Sequence, residues 1–184
     1  MRPARPSSDP LSALRMGGFT LIELLIVLII VGILGAFAFA RLYSASSIDG
    51  RTYADQLGAT LRYGQKMAIA QGRNVYARLD AGGVALCYQA DCAPSARVLA
   101  PAGRNSDSAA TARVCADPTW ACEAPPTGVT VGVSSQFYFD PVGKPFALAD
   151  ALTSSVSTFA TLNVPIGGSA PRRVVVERET GYVH

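Results

Sequence analysis

A long apolar stretch runs from Phe19 to Ala40, directly after Gly18, and Glu23 is the only charged residue inside it. A helix rises about 1.5 Å per residue, so about 20 residues cross the hydrocarbon core of a membrane. The pattern therefore predicts a transmembrane helix over 19–40. A carboxylate within such a helix costs about 3 kcal/mol, which indicates that Glu23 has a partner such as a free amino group.

Apolar residues continue at roughly helical spacing beyond this stretch as far as Gln71, with polar residues on the other faces. They are Leu42, Ala45, Ile48, Ala54, Leu57, Leu61, Met67 and Ala68. The pattern predicts an amphipathic continuation of the helix over 41–72, with Gly72 as the stop signal. The alternative is a pair of helices that break near Ser44–Gly50, where serines are concentrated.

The period of the pattern changes from Asn74 onwards, where strand-forming residues alternate with turn residues. Val75–Leu79 and Val84–Tyr88 flank Asp80-Ala81-Gly82-Gly83, which predicts a β-hairpin. The same reasoning predicts further strands over 129–133, 136–139, 159–164 and 173–179, with a turn over 140–145. The predicted fold class is α+β, a long N-terminal helix packed on a C-terminal antiparallel β-sheet domain over 73–184.

The segment from Gln89 to Gly128, called the excursion below, is rich in Ala, Pro, Asp and Ser and contains three of the four cysteines. It is too long for an ordinary loop. It is therefore either a functional insertion or a poorly ordered segment, and its cysteines indicate that part of it is stapled.

Most of the positive charge precedes Gly18. The chain of 184 residues has a formal net charge of +3, with Arg2, Arg5, Arg15 and Asp9 before Gly18. Without residues 1–18 the balance is 13 basic to 12 acidic residues. This asymmetry is typical of positive-inside membrane topology and not of nucleic-acid affinity. It predicts a cytoplasmic N-terminus and a translocated C-terminal domain.

Four cysteines, Cys87, Cys92, Cys115 and Cys122, follow the apolar stretch. An even number in an oxidising compartment predicts two disulfides. Three pairings are open, of which Cys87–Cys92 with Cys115–Cys122 is the simplest because each closes a short loop. A four-thiolate zinc site is the competing interpretation, and periplasmic oxidation argues against it.

The hexapeptide Gly18-Phe19-Thr20-Leu21-Ile22-Glu23 and the apolar helix behind it resemble the signal of type IV prepilins and type II secretion pseudopilins. The resemblance implies a leader over 1–18, cleavage after Gly18 by a prepilin peptidase and N-methylation of Phe19. It also implies that Glu23 pairs with the terminal amine of a neighbouring subunit. An uncleaved signal anchor is the alternative. A secretory signal peptide fits less well, because its apolar core is shorter.

Three later segments are similar to the C-terminal domain of the H-type pseudopilin/FimT group of minor pilins. They are Gln65–Ala70, Phe137–Gly143 and Val174–Val183. Members of that group often carry an arginine beside the last glycine, whereas Tyr182 follows Gly181 here. This departure weakens the expectation that the corner makes the ligand contacts attributed to it in that group.

No catalytic constellation is visible in the sequence, and an enzyme is not expected. The only histidine, His184, is the last residue and is interpreted as a frayed terminus. No cofactor and no metal are expected. Arg172, Arg173 and Arg178 are candidate DNA contacts, but Glu177 and Glu179 interleave with them. A solvated, charge-blunted edge strand is the favoured interpretation of this segment.

The sequence thus predicts a minor pilin or pseudopilin of a type II secretion pseudopilus or a type IV pilus, which primes filament assembly and supports protein secretion. Its expected partners are other such subunits, the prepilin peptidase and the inner-membrane assembly platform. The expected location is the inner membrane, crossed once, with the C-terminal domain in the periplasm. The alternative is a pilin at the filament tip that binds DNA, a surface or a secreted substrate.

Overall fold

The computed structural model describes residues 20–168 and 170–184, except for the side chains of residues 36–48. The chain divides into two compact units, Met1–Ala40 and Arg41–His184. The helices are α1 Leu21–Gln71 and α2 Ala109–Cys115, and short 3-10 turns lie at Pro94–Ala96 and Pro101–Gly103. The strands are β1 Val75–Asp80, β2 Gly83–Cys87, β3 Cys122–Glu123, β4 Thr130–Val131, β5 Ser135–Phe139, β6 Pro145–Ala147, β7 Leu162–Gly167 and β8 Arg172–Val176.

Helix α1 ends at Gln71 and is followed by Gly72 with a φ of +60°. Gly72 and Arg73 donate their backbone N–H groups to the carbonyls of Ile69 and Ala68, which closes the last turn. The predicted stop signal is therefore confirmed. The helix is also unbroken through 44–50, so the alternative of two helices is wrong.

The C-terminal part of α1 buries one stripe against the sheets. Tyr53, Leu57, Leu61 and Ala68 are at most 1% exposed and lie at helical spacing in the main core. Leu57 and Leu61 belong to the predicted stripe. The side chains of Leu42 and Ile48, which also belong to it, lie outside the described ones.

The strands form two antiparallel sheets, a five-stranded sheet in the order β3-β2-β1-β5-β6 and a three-stranded sheet in the order β4-β7-β8. The hairpin of β1 and β2 is confirmed, with Asp80 opposite Gly83 across the turn. Gly83 has a φ of +120°, and a Cβ there would lie 2.0 Å from the carbonyl oxygen of Glu123. Glycine is therefore required where β3 approaches β2.

The two faces of the five-stranded sheet are covered by different parts of the chain. The inner face, with Ala77, Leu79, Phe137 and Phe139, shares a core with the buried stripe of α1. The outer face, with Tyr76, Ala85, Tyr138 and Phe146, shares a second cluster with Trp120 and the four cysteines. This alternation follows from the period of two along each strand.

The excursion is built of packed elements that cover the outer face. Trp120 is 4% exposed and donates its indole N–H to the Leu86 carbonyl at 2.8 Å. The Arg97 guanidinium lies 4.3 Å from the centroid of the Trp120 ring. Backbone bonds from Val98 to Leu86 and from Ala121 to Val98 tie the excursion to β2. Of the two alternatives, a poorly ordered segment is therefore excluded.

Several predicted strand limits differ from the observed ones. Phe159 begins a predicted strand, but it packs its ring 4.9 Å from that of Phe137 while the strand itself begins at Leu162. Its apolar character thus serves packing and not strand pairing. The predicted turn over 140–145 ends where β6 begins at Pro145, and β6 was not predicted. Proline is tolerated there because β6 is the edge strand of its sheet.

Candidate functional site

The N-terminal segment is described from Thr20 onwards, so Gly18 and Phe19 lie outside the described residues. Thr20 caps helix α1. Its hydroxyl oxygen accepts the backbone N–H of Glu23 at 3.3 Å, and its carbonyl accepts that of Leu24 at 3.2 Å. The sequence Thr-x-x-Glu is a capping-box pattern that the sequence analysis missed. It places the Glu23 carboxylate in the first turn of α1, where the helix dipole favours negative charge.

The first part of helix α1, over 21–35, is apolar on every side apart from Glu23, and its side chains are exposed. All residues from Thr20 to Gly35 are exposed. The exposed fractions of the large apolar residues range from 46% at Val27 to 83% at Leu21. A helix that is apolar all round is stable where lipid or neighbouring chains surround it.

Among the described residues, no helix combines the length and the apolar content that a membrane crossing requires. The predicted segment 19–40 extends beyond the described side chains at both ends.

The four cysteines form two disulfides, Cys87–Cys92 and Cys115–Cys122, with Cα–Cα distances of 5.2 and 6.0 Å. The simplest of the three pairings is therefore confirmed. Because the four sulfurs are bonded in two pairs, they are not the free thiolates that a zinc site requires. The described residues contain no group of His, Cys, Asp and Glu arranged to hold a metal ion.

Glu123 is a buried acid that the sequence analysis missed, with only 7% of its surface exposed. Its carboxylate accepts the Ser106 N–H at 2.8 Å, the Ser106 hydroxyl and the Thr111 hydroxyl at 3.1 Å. The Tyr53 hydroxyl on α1 donates to the Glu123 carbonyl at 3.4 Å. Burial, and then the charge of Glu123, raise the pKa of Tyr53. This hydrogen-bonded acid joins the excursion to α1.

The three candidate DNA-contacting arginines have different surroundings. Arg172 and Arg173 begin β8 and line a groove together with Arg51 and Arg62 of α1. Arg178 follows β8 and pairs with Glu179 at 2.9 Å. Lys144 also pairs with Glu179 at 3.2 Å, and its hydrogen bond and charge, together with Arg178, lower the pKa of Glu179. Arg51 and Arg62 lie more than 100 residues before Arg172 in the sequence. No local sequence pattern indicates that they line the same groove.

His184 is anchored, so its interpretation as a frayed terminus is wrong. It exchanges backbone hydrogen bonds with Val175 at 2.7 and 3.0 Å. Its Nε2 lies 3.1 Å from the Glu177 carboxylate, and its ring stacks on Tyr182. Val183, between them, is 1% exposed and lies in the main core. The last residues of the sequence thus extend the three-stranded sheet beside β8.

Residues 180–182 form the corner at which this chain departs from the H-type/FimT pattern. Gln65 of α1 donates from Nε2 to the carbonyls of Gly143 and Thr180, both at 2.8 Å. Gly181 has a φ of +66°, and a Cβ there would lie 2.4 Å from the Gly143 carbonyl oxygen. Tyr182 beside it is 60% exposed. The corner therefore fastens two turns to α1 and presents an aromatic ring where an arginine is common in that group.

Comparison with known proteins finds a match for one segment of the chain. The family model for the prokaryotic N-terminal methylation motif matches residues 14–39. Neither the curated proteins nor the solved structures contain a significant match to this chain. The matched segment includes Gly18, Phe19, Thr20 and Glu23, and it is a type IV pilin-like signal. It indicates a pilin-like component of a pilus or pseudopilus, with an N-terminus suited to membrane anchoring.

Proposed function

We propose that this protein is a minor pilin or pseudopilin of the H-type/FimT group. It enters a type II secretion pseudopilus or a type IV pilus through its N-terminal helix, primes filament assembly and supports protein secretion. The observation that carries the proposal is the methylation motif at 14–39, together with a capped helix whose large apolar side chains from Leu21 to Leu34 are all exposed. Such a helix gains stability when a bilayer, and then neighbouring subunits, surround it.

Glu23 supplies the specificity of assembly. Its carboxylate lies in the first turn of α1, next to the predicted new N-terminus at Phe19. Charged side chains in an apolar environment are costly unless they are paired, so the methylated amine of an adjacent subunit is the natural partner. This pairing would fix the axial register between neighbouring subunits.

The second unit supports a periplasmic location with the N-terminus in the cytoplasm. Its two disulfides are typical of an oxidising compartment, and the leader arginines are typical of the cytoplasmic side. The ion pair of Arg178 with Glu179 and the contact of Glu177 with His184 reduce the positive field beside Arg178, one of the three candidate DNA contacts. This favours the structural role over that of a DNA-binding tip subunit.

The function is tested by processing and incorporation in the native host. Mass spectrometry of the mature protein should find an N-terminus at methylated Phe19. Glu23→Leu should insert into the membrane at least as well as wild type, because a buried charge is removed. It should nevertheless be depleted from sheared filaments, because the pairing is lost.

Asp91→Leu, a carboxylate removal at an exposed loop of the second unit, is the matched control and should be incorporated normally. A mature chain that still begins at Met1 would contradict the proposal. Equal incorporation of Glu23→Leu and wild type would show that Glu23 has no role in assembly.

A further inference from the structure

Four arginines converge on one groove of the second unit, called the arginine groove below. Arg51 and Arg62 reach it from α1, and Arg172 and Arg173 reach it from the start of β8. The groove encloses about 200 Å³, and Ala54 and Val174 are among its apolar walls. Residues more than 100 positions apart in the sequence thus bring four permanent positive charges to a single concave surface.

The arginines of this groove lack the carboxylate partner that five of the eight other described Lys and Arg side chains have. Within the described residues, none of the four has a carboxylate oxygen within 4.0 Å. Ion pairs do form at Arg78, Arg97, Arg104, Lys144 and Arg178. The negative group at the groove itself is that of Asp55. The groove therefore carries an excess of positive charge that the chain does not neutralise.

The guanidinium of Arg62 is held in the groove by a backbone carbonyl. Its Nη1 donates to the Val183 carbonyl at 3.1 Å, and this bond leaves its charge uncompensated. A Cβ at position 58 would lie 3.3 Å from that same Nη1, so Gly58 leaves room for the guanidinium to lie along the helix. The Val183 carbonyl thus holds one guanidinium of α1, while Arg172 and Arg173 remain exposed at the start of β8.

Guanidinium groups bind carboxylates and phosphates through paired, charge-assisted hydrogen bonds. The size of the groove favours the carboxylate of a polypeptide. An aspartate or glutamate side chain carries a single charge on a narrow stem that a groove of about 200 Å³ can admit. Duplex DNA is a convex rod whose binding depends on many phosphate contacts spread over a broad basic face.

We propose that the arginine groove binds an acidic segment of a partner polypeptide. Carboxylates of the partner neutralise Arg172 and Arg173. Complementary charge of this kind steers encounter and selects the partner. The proposal does not depend on the proposed function, since it concerns a surface of the second unit that exists whether or not the chain enters a filament.

The test uses the full chain in non-ionic detergent micelles and a fluorescent hexaglutamate peptide as the probe. Binding is followed by fluorescence anisotropy from low to physiological salt. The double variant Arg172→Gln/Arg173→Gln should bind the probe about tenfold more weakly, because two charge pairs with the probe are lost at exposed positions. Both side chains are exposed, so the substitutions leave the core intact.

The matched control is Arg104→Gln/Arg113→Gln, which removes the same charge from exposed positions of the excursion. It should bind the probe within about twofold of wild type, because these two charges act on the groove only at long range and are screened by salt. Equal weakening in both double variants would show attraction by net charge and would overturn the proposal. Absence of binding at low salt would overturn it too. A short DNA duplex that binds more tightly than hexaglutamate, and loses that binding in the groove variant, would replace the acidic polypeptide with DNA.

Discussion

The two faces of the five-stranded sheet are covered by the same chain in different physical ways. The inner face meets a helix, and its core is apolar apart from the Tyr53 hydroxyl, with Leu57, Leu61 and Phe137 fully buried. The outer face meets irregular backbone and is held by two disulfides, an indole hydrogen bond and a guanidinium stacked on Trp120. A regular helix can offer a continuous apolar stripe, whereas a turn-rich segment cannot. The excursion therefore relies on covalent and polar fastening instead.

The largest expected effect comes from truncating an aromatic side chain on the inner face. Phe137 is fully buried and contacts the rings of Phe139 and Phe159 at 5.2 and 4.9 Å. Phe137→Ala should lower the free energy of unfolding by about 4 kcal/mol, since a large cavity forms among rigid neighbours. Urea denaturation followed by Trp120 fluorescence measures the loss.

The control for this change is Phe146→Ala on the outer face. Phe146 is 3% exposed and stacks 5.4 Å from Tyr138. It lies on the edge strand β6, which can move inwards, so the loss should be about 2 kcal/mol. Equal losses from the two substitutions would remove the distinction between the faces.

An intermediate effect is expected from opening the disulfides. Cys115→Ser/Cys122→Ser and Cys87→Ser/Cys92→Ser should each cost about 2 kcal/mol, because each bond closes a short loop in the unfolded chain. Hydrogen exchange should become faster in α2 and in strands β2 and β3, while residues 50–71 of α1 keep their protection. Loss of protection in α1 to the same extent would mean that the two faces unfold as one unit.

The smallest effect at neutral pH is expected at Tyr53, where the two faces are joined. Tyr53→Phe removes one long hydrogen bond to the Glu123 carbonyl and should cost about 0.5 kcal/mol. At alkaline pH the order of stability of wild type and the Tyr53→Phe variant should reverse. Burial raises the pKa of Tyr53 above its ordinary value of 10.0, so the unfolded chain loses this proton first and stability falls as the pH rises past 10.

The phenylalanine variant lacks that contribution. Its free energy of unfolding should therefore fall less steeply than that of wild type between pH 9 and pH 11, about the range in which free tyrosine ionises. Thermal denaturation across this range measures both slopes. Parallel slopes would show that Tyr53 ionises as readily in the folded chain as in the unfolded one.

The regular part of this fold could be predicted from sequence because its signals are local. The helix stop at Gly72 and the hairpin around Asp80–Gly83 depend on neighbouring residues and on turn chemistry. The short pairing of the cysteines was the simplest of three, since each loop closes over few residues. Strand limits such as that at Phe159 were displaced because tertiary packing decided them.

The candidate sites divide in the same way. The motif around Gly18 and Glu23 is contiguous and could be recognised directly, although its capping role required noticing Thr20 three residues before Glu23. The arginine groove could not be predicted, because Arg51 and Arg62 meet Arg172 and Arg173 only through the packing of α1 beside β8. The anchoring of His184 also depends on long-range pairing, with Val175 as its partner.

The burial of Val183 has a consequence for biosynthesis. This residue completes the core that also contains Tyr53 and Leu57, and Arg62 and Gln65 bond to backbone carbonyls 121 and 115 residues further along the chain. While the chain is being synthesised, the apolar stripe of α1 has no finished surface to pack against. Contacts of such long sequence separation form late, so this unit folds only after almost all of it has emerged. Until then its exposed stripe is a target for chaperones and proteases.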